Sequence, residues 1–546
     1  MARKVLLTSI ILIGLMFSCL DTSIVSTALV NISIDLGNDF LNAPWAILAY
    51  LLSYMSLAVG FCKASDVFGR RNMCLVAWLF FSGASIACGL AQTMPQLIAF
   101  RALQGVGGSG LYSLAQICLI ELGPGGPELI GALVGVTLAI SYVMGPILGG
   151  LFSSYWTWRA IFWIKHRLIS SSVPFGVFAI LGLLFYWEGP QPVRLSLPKI
   201  FAKIDILGIS LLSVGSLLLV FGIQEGGSRV WDWSHPVIVG TLVASGLSWS
   251  ALCAWQFFIY KSRNPITEPI FPVNLVTRRV YPATVVVTLL SGFVYISLVI
   301  QIPEQLQIIH RDSPVLAGVH LLPMLGACAF GSFATGAISK RKNYTSHILV
   351  AGAAIQMIGS GLIYAYSRGE ADIRNLFGFT TIYGLGVGLC FAAATIITTV
   401  EARHDDLAAA QGVVSQARVF GGAFGLAICT IVFNAQTEHD LAGDLRISPE
   451  ELDAIHRSPM ALLLLKDSQV QTIVRSAYLI AFERQMLVMV TVGMLAIAAS
   501  ICTWRPDPPL VVDMMAQHKE FPARGSITEL ELMETDRTLH RDEGPN

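Results

Sequence analysis

The feature that most limits this chain is a succession of apolar blocks, each about 20 residues long, separated by short polar turns. A helix rising about 1.5 Å per residue needs that length to cross a hydrocarbon core of about 30 Å. Lipid offers no water to backbone amides and carbonyls, so each block must close its hydrogen bonds within itself, as a helix. The approximate blocks are 5–29, 44–62, 73–92, 96–120, 129–153, 161–187, 205–224, 237–259, 281–302, 315–338, 346–366, 376–399, 409–433 and 485–504. That makes about fourteen spans. Of 546 residues, 54% are hydrophobic and 13% are Asp, Glu, Lys or Arg. A soluble chain carries about twice that charge. Too little polar surface remains for a water-soluble exterior, and the expected fold class is an all-α polytopic membrane protein.

An even number of spans puts both termini on one side. Turns on the N-terminal side hold Lys63, Arg70, Arg71, Arg194, Lys199, Lys203, Lys261, Arg278, Arg279 and Lys340. The opposite short turns hold Arg159, Arg229, Arg311, Arg368 and Arg374. Basic loops stay in the cytosol, so both ends are expected there. Residues 434–484 read as a long outer loop, with a short interfacial helix around "ALLLL". The polar tail 505–546 is expected to be disordered and cytosolic. The first apolar run is too long for a cleaved signal peptide, and Asp21 interrupts it. Asn31 and Asn343 head glycosylation sequons. One falls at the membrane and the other in the cytosol, so neither is expected to be modified.

Zero net charge argues against nucleic acid as a partner. The ten cysteines fall nearly all inside apolar runs, without the paired spacing of a metal site or disulfide framework. They read as small packing residues, and no metal or cofactor is expected. The chain has no Gly-Lys dipeptide, hence no ATPase-type phosphate loop. Any uphill work must draw on an ion gradient. A membrane enzyme would need His, Asp and Glu clustered near the bilayer. Arg403–Asp406, "RHDD", is the one candidate, and it reads as a plain loop.

A charge at the centre of a spanning helix costs about 2.5–3.5 kcal/mol on insertion scales, so it needs a partner and usually marks function. Asp21, in "LDTSIVSTAL", is either a carboxylate facing outside water or a proton or substrate site. Arg101 and Gln104 share a helix face at i, i+3, and Gly105, Gly107 and Gly108 allow a close helix neighbour. Arg101 is either structural, neutralised by an acid, or functional. Gly145, Pro146, Gly149 and Gly150 predict a kinked, close-packed helix. Arg418, among Gly421, Gly422 and Gly425, either pairs with an acid of a facing helix or is structural. In "CKASDVFGRRN", Asp66 and Arg70 have i, i+4 spacing for an ion pair, Gly69 permits a sharp turn, and Arg71 adds a cytosolic charge. Tyr50, Tyr54, Gln104, Tyr112, Gln116 and Tyr142, with Phe293, Tyr295, Gln301 and Phe391, are candidates to line a greasy cavity with few polar anchors. Such a cavity suits amphipathic organic molecules. For any one of these aromatics, packing is the competing reading.

Several of these runs resemble signatures of the major facilitator superfamily. Asp66, Gly69, Arg70 and Arg71 match its loop between the second and third spans, while Cys62 stands where glycine is usual and Val67 where a basic residue is frequent. Cys62 leaves the close packing of that glycine in question. "GAISKRKNY", with Gly336, Lys340 and Arg341, is a weaker echo of the loop in the second half. "RALQGVGG" matches the fourth-span motif at Arg101, Gln104, Gly105 and Gly107. "SYVMGPILGG" resembles the fifth-span antiporter signature, with Ser141 replacing its leading glycine. Leu20, Asp21, Thr22, Ala28 and Leu29 are similar to the first span of the fourteen-span drug/proton antiporter branch. "KHRLISSS" at 165–172 departs from the pattern and reads as an insertion or a splicing artefact.

The resemblance implies an N-terminal six-helix bundle over 1–187 and two extra spans within 188–280. A second bundle follows over 281–504, then the tail 505–546. It implies Asp66, Gly69, Arg70 and Arg71 as a gate, Asp21 and Arg101 as proton-coupling residues, and Gly145–Gly150 as an antiporter hinge. Gln104, Tyr112, Gln116, Tyr142, Gln301, Phe391 and Arg418 are candidates for the substrate cavity. The expected activity is export of a drug, toxin or fungal secondary metabolite in exchange for protons. The expected carrier is a plasma-membrane monomer whose partners are a small amphipathic organic substrate, protons and lipid. A siderophore-type importer is the alternative. A nutrient sensor on a transporter fold would need a long cytosolic extension, which the sequence lacks.

Overall fold

The structure is a computed structural model. It describes residues 2–37, 45–123, 127–163, 172–187, 204–228, 231–262, 267, 269–271, 273–339, 342–370, 373–403, 406–441, 468–505 and 508–511. Helices dominate, and no strand occurs among these residues. In chain order they are α1 (Ala2–Asp35), α2 (Trp45–Phe68), α3 (Arg70–Leu90), α4 (Met94–Leu122), α5 (Pro127–Tyr155), α6 (Arg159–Trp163), α7 (Ser172–Tyr186), α8 (Ile206–Gly227) and α9 (Pro236–Lys261). There follow α10 (Val273–Val276), α11 (Val280–Gln305), α12 (Pro314–Val319), α13 (Leu322–Ser339), α14 (Thr345–Ala365), α15 (Ile373–Glu401), α16 (Leu407–Leu441) and α17 (Ser468–Ile501).

Among the described residues, 11 helices are long and apolar enough to cross a membrane. Two more, α4 and α5, have 29 residues each. Polar Arg101, Gln104 and Gln116 and a series of glycines dilute the apolarity of α4. Helix starts follow local chemistry. Pro95, Pro236 and Pro314 sit in first turns, where no N–H is missed. Ser313 Oγ caps α12 by accepting the Leu316 amide at 3.3 Å. Pro303 lies inside α11. The helix then widens into a π turn, Leu306–His310, and stops at Arg311 in the left-handed region with φ 58°.

Packing repeats along the chain. In the first half α1 packs on α5, and α2 and α3 both pack on α4. In the second, α11 packs on α16, and α13 and α14 both pack on α15. This repeated arrangement is what transporter folds built from structural repeats show. The halves meet through α2 against α16 and α5 against α13. Of the extra helices, α8 lies against α2 and α16, and α9 lies against α8. Asp205 anchors that pair: its carboxylate caps α8 at Gly208 N (2.7 Å) and accepts Trp255 Nε1 (2.8 Å) and Gln256 Nε2 (2.5 Å) from α9.

One expectation needs correction. The segment 434–484 is not loop throughout: α16 runs on to Leu441, and α17 already begins at Ser468. Phe433 packs against Tyr478 and Phe482 between these ends, tilted and edge-on with centroids 4.9 and 5.4 Å apart, beside Ile308 and Ile309. Mixed charge hid an apolar face here. Helix α16 has 35 residues, about 52 Å, well beyond a bilayer core. The "ALLLL" run, residues 165–171 of the 165–172 departure, Lys340–Arg341 and nearly all of the tail lie outside the described residues.

Candidate functional site

Asp21 is not an interfacial carboxylate. Helix α1 continues 14 residues past it to Asp35, about 21 Å, and Asp21 is 1% exposed. It sits against α4. Arg101 Nη1 lies 3.7 Å from the Asp21 carboxylate, and Gln104 Nε2 donates to the same oxygen. Arg101, fully buried, also donates to Gln104 Oε1 (2.6 Å), the Ala46 carbonyl (3.0 Å) and the Asp21 carbonyl (3.1 Å). Gln104 Nε2 reaches Ser85 Oγ on α3 at 2.7 Å. Gln104, read from sequence as cavity lining, thus belongs to the Asp21–Arg101 cluster.

The cluster connects to the centre of the molecule. The Arg101 guanidinium lies 4.2 Å over the Tyr50 ring, a favourable cation–π placement. Tyr50 is 5.4 Å from Tyr54, and Tyr54 is 5.6 Å from Tyr112. Ser18, one turn before Asp21, accepts Tyr50 Oη at its carbonyl (2.7 Å) and donates its hydroxyl to Tyr54 Oη (3.0 Å). Tyr112 Oη then accepts Arg418 Nη1 at 2.8 Å. Arg418 lies 4.2 Å over Phe391, which packs edge-on against Tyr295 at 5.5 Å. Arg418 therefore meets a phenol and a ring, with no salt bridge to an acid among the described residues, contrary to the pairing weighed from sequence. Phe293, Gln116 and Gln301 are buried nearby in sequence on α11, α4 and α11. The side chains of Tyr142 and Pro146 lie outside the described residues.

Gly145 of α5 packs against α1 so closely that a Cβ there would overlap the Ser23 hydroxyl, two residues from Asp21. Gly149 and Gly150 are buried in the same helix, which is continuous from Pro127 to Tyr155. The signature run thus braces the helix that carries the carboxylate.

At the α2–α3 turn, Gly69 takes φ 87°, which disfavours any side chain. Arg70 Nη1 binds Asp66 Oδ1 at 2.5 Å and Ser65 Oγ at 2.6 Å. Its other face meets Glu121 of α4 at 3.0 Å, a partner 51 residues away that no local spacing could reveal. Arg71 donates to the Leu183 and Leu184 carbonyls at 2.9 and 2.6 Å. Arg70's partners all come from the first half. One contact between the halves nearby is made by Cys62, which clusters with Ile117 and Ala408. A Cβ on Gly412 would lie 2.9 Å from Cys62 Sγ. The space that glycine would give at position 62 is supplied by glycine on the facing helix. Arg70→Ala would leave Asp66 and Glu121, both mostly buried carboxylates, without the guanidinium that bridges them. A loss of about 3 kcal/mol is expected, read as a lower unfolding temperature of the purified protein, with Arg70→Lys intermediate.

At the opposite end of α1, Asp35 accepts Trp158 Nε1 at 2.8 Å and pairs with Arg159. The Trp158 hydrogen bond first, and Arg159 second, hold its carboxyl below the usual range. A depressed pKa stabilises above the unfolded value, and that stabilisation is lost as pH falls through the folded one. Asp35→Asn should lower the unfolding temperature at neutral pH, and the difference from wild type should vanish in strong acid.

An all-helical, multi-pass bundle with a repeated packing pattern and buried ion pairs between its helices defines a membrane carrier. Comparison with known proteins agrees. Residues 11–426 match the family model for the Major Facilitator Superfamily, and the chain belongs to that superfamily. The MFS-type transporter FPY5 of Fusarium mangiferae is 31% identical over 514 residues, 92% of this chain and 84% of that one. The efflux pump FUS6 of Gibberella moniliformis is 28% identical over 429 residues, covering 77% and 72%. The solved structure of the human organic anion transporter MFSD10 matches with a TM-score of 0.57 at 12% identity, over 91% of this chain and 99% of that one, and shares the fold. The protein is a multi-pass membrane transporter rather than an enzyme.

Proposed function

We propose that this transporter exports amphipathic organic molecules, such as a drug, toxin or fungal secondary metabolite, in exchange for protons. The buried Asp21–Arg101–Gln104 cluster, joined by tyrosines to the junction of the halves, carries the reading. While Asp21 is ionised, its attraction to Arg101 and Gln104 holds α1 on α4. A proton on Asp21 cancels that attraction. Helix α1 is then released, with Ser18, whose hydrogen bonds position Tyr50 and Tyr54. The shift reaches Tyr112 and the substrate region on the interface, so proton and cargo favour different arrangements of the halves. The antiporter-like run around Gly145, braced on α1, and relatives named as efflux pumps support export over import.

In this reading the chain has fourteen spans, with α4, α5 and the expected span 161–187 added to the eleven apolar helices. Residues 1–187 and 281–504 form the two moving halves, 188–280 supplies the two extra spans, and 505–546 is a cytosolic tail. Both termini face the cytosol of the plasma membrane, and the carrier works as a monomer. Asp66, Gly69, Arg70 and Arg71 set the gate on the cytosolic side. The test uses purified protein in vesicles with an imposed pH gradient and a fluorescent amphipathic dye. Gradient-driven dye movement against its concentration supports the reading. Movement indifferent to collapse of the gradient overturns it.

A further inference from the structure

We propose that Arg418 is the substrate-reading cation of this carrier, and that its cargo bears an anionic group, a carboxylate or an equally acidic oxygen, beside a flat apolar body. The inference rests on the transport reading above and adds the substrate's charge class.

The chain's other large buried guanidiniums are satisfied. Arg101 has Asp21, Gln104 and two carbonyls, and Arg70 has Asp66 and Glu121. Arg418 is 4% exposed, yet only Nη1 makes a hydrogen bond, to the neutral Tyr112 hydroxyl. Nε and Nη2 are buried without a hydrogen-bond partner among the described residues. Tyr112, a phenol, and Cys328, a thiol, are among the titratable side chains within its electrostatic reach. A desolvated cation is strongly disfavoured unless paired, and a guanidinium presents a planar fork shaped for a carboxylate. The two free nitrogens are adjacent members of that fork. Phe391 covers one face of the guanidinium, and Tyr112 reaches it from the other half of the molecule. The vacant donors thus lie where the halves meet, flanked by rings. An anion held there would touch both halves, which is what a cargo must do to bias their movement.

The experiment uses full-length protein in lipid nanodiscs and three probes: naphthoate, dodecanoate and a polyene carboxylic acid, each with its uncharged carboxamide. Binding is read by quenching of protein fluorescence, independent of any gradient. At least one acid should bind about tenfold to a hundredfold tighter than its amide, and Arg418→Gln should erase that ratio, with Arg418→Lys keeping part of it. Arg418→Met should raise the unfolding temperature of the unliganded protein, because it removes an unpaired buried cation and keeps the volume. A merely structural arginine would do the reverse. Equal binding of every acid and amide overturns the inference, as does a ratio unchanged in Arg418→Gln or a destabilised Arg418→Met. Preference for acids with no gradient-driven transport would sink the exchange reading and leave this one standing.

Discussion

Replacing Asp21 with asparagine is expected to abolish gradient-driven transport while protein still reaches the membrane. Asparagine keeps the size of the side chain, so the protein still folds and inserts. It can neither take up nor release a proton. Swinging a carrier from 1:99 to 99:1 between its two arrangements takes about 5.5 kcal/mol of differential binding. With the carboxylate gone, the Arg101–Asp21 term drops out of that difference in every state. Transport should become independent of pH on both sides, and accumulation against a gradient should fall to background, while downhill exchange of dye continues. A stability penalty is also expected, because Arg101 is fully buried and its remaining partners are neutral. Breaking one side of a buried pair costs about 3–5 kcal/mol, and the unfolding temperature should drop accordingly. Arg101→Gln in the same background should recover part of it by removing the stranded cation. Gradient-driven accumulation equal to wild type in Asp21→Asn would remove Asp21 from the mechanism.

The second large effect concerns two glycines that look alike in sequence. Gly83 and Gly107 both sit within long apolar helices, α3 and α4. A Cβ at Gly107 would run into the backbone of Phe81 and lie 2.8 Å from the Ala77 carbonyl. Backbone cannot swing aside as a flexible side chain does. Gly107→Val should therefore force α3 and α4 apart, with an expected loss of more than about 4 kcal/mol and little folded, monodisperse protein on size exclusion. At Gly83 a Cβ meets nothing within 4 Å. Gly83→Ala should be neutral, or stabilising by about 0.5–1 kcal/mol through the lower backbone entropy of the unfolded chain. Comparable folded yields of Gly107→Val and Gly83→Ala would refute this account of the α3–α4 contact.

Sequence alone determined what depends on one helix or one turn. Lengths of apolar blocks located the helices, because in lipid each must satisfy its own backbone. Asp66 with Arg70, and Arg101 with Gln104, were legible because i, i+3 and i, i+4 neighbours share a face. Tertiary structure decided what joins distant segments. It gave Arg70 the Glu121 carboxylate, decided for Asp21 between outside water and a buried cluster, and set Gly412 opposite Cys62. It also brought Arg418 to Tyr112 across 306 residues and, among the described residues, gave it no acid. Apolar helices can be packed in many arrangements that their own sequences satisfy equally well. Which buried charge finds a partner, and which is left waiting for one, is fixed only when the helices meet.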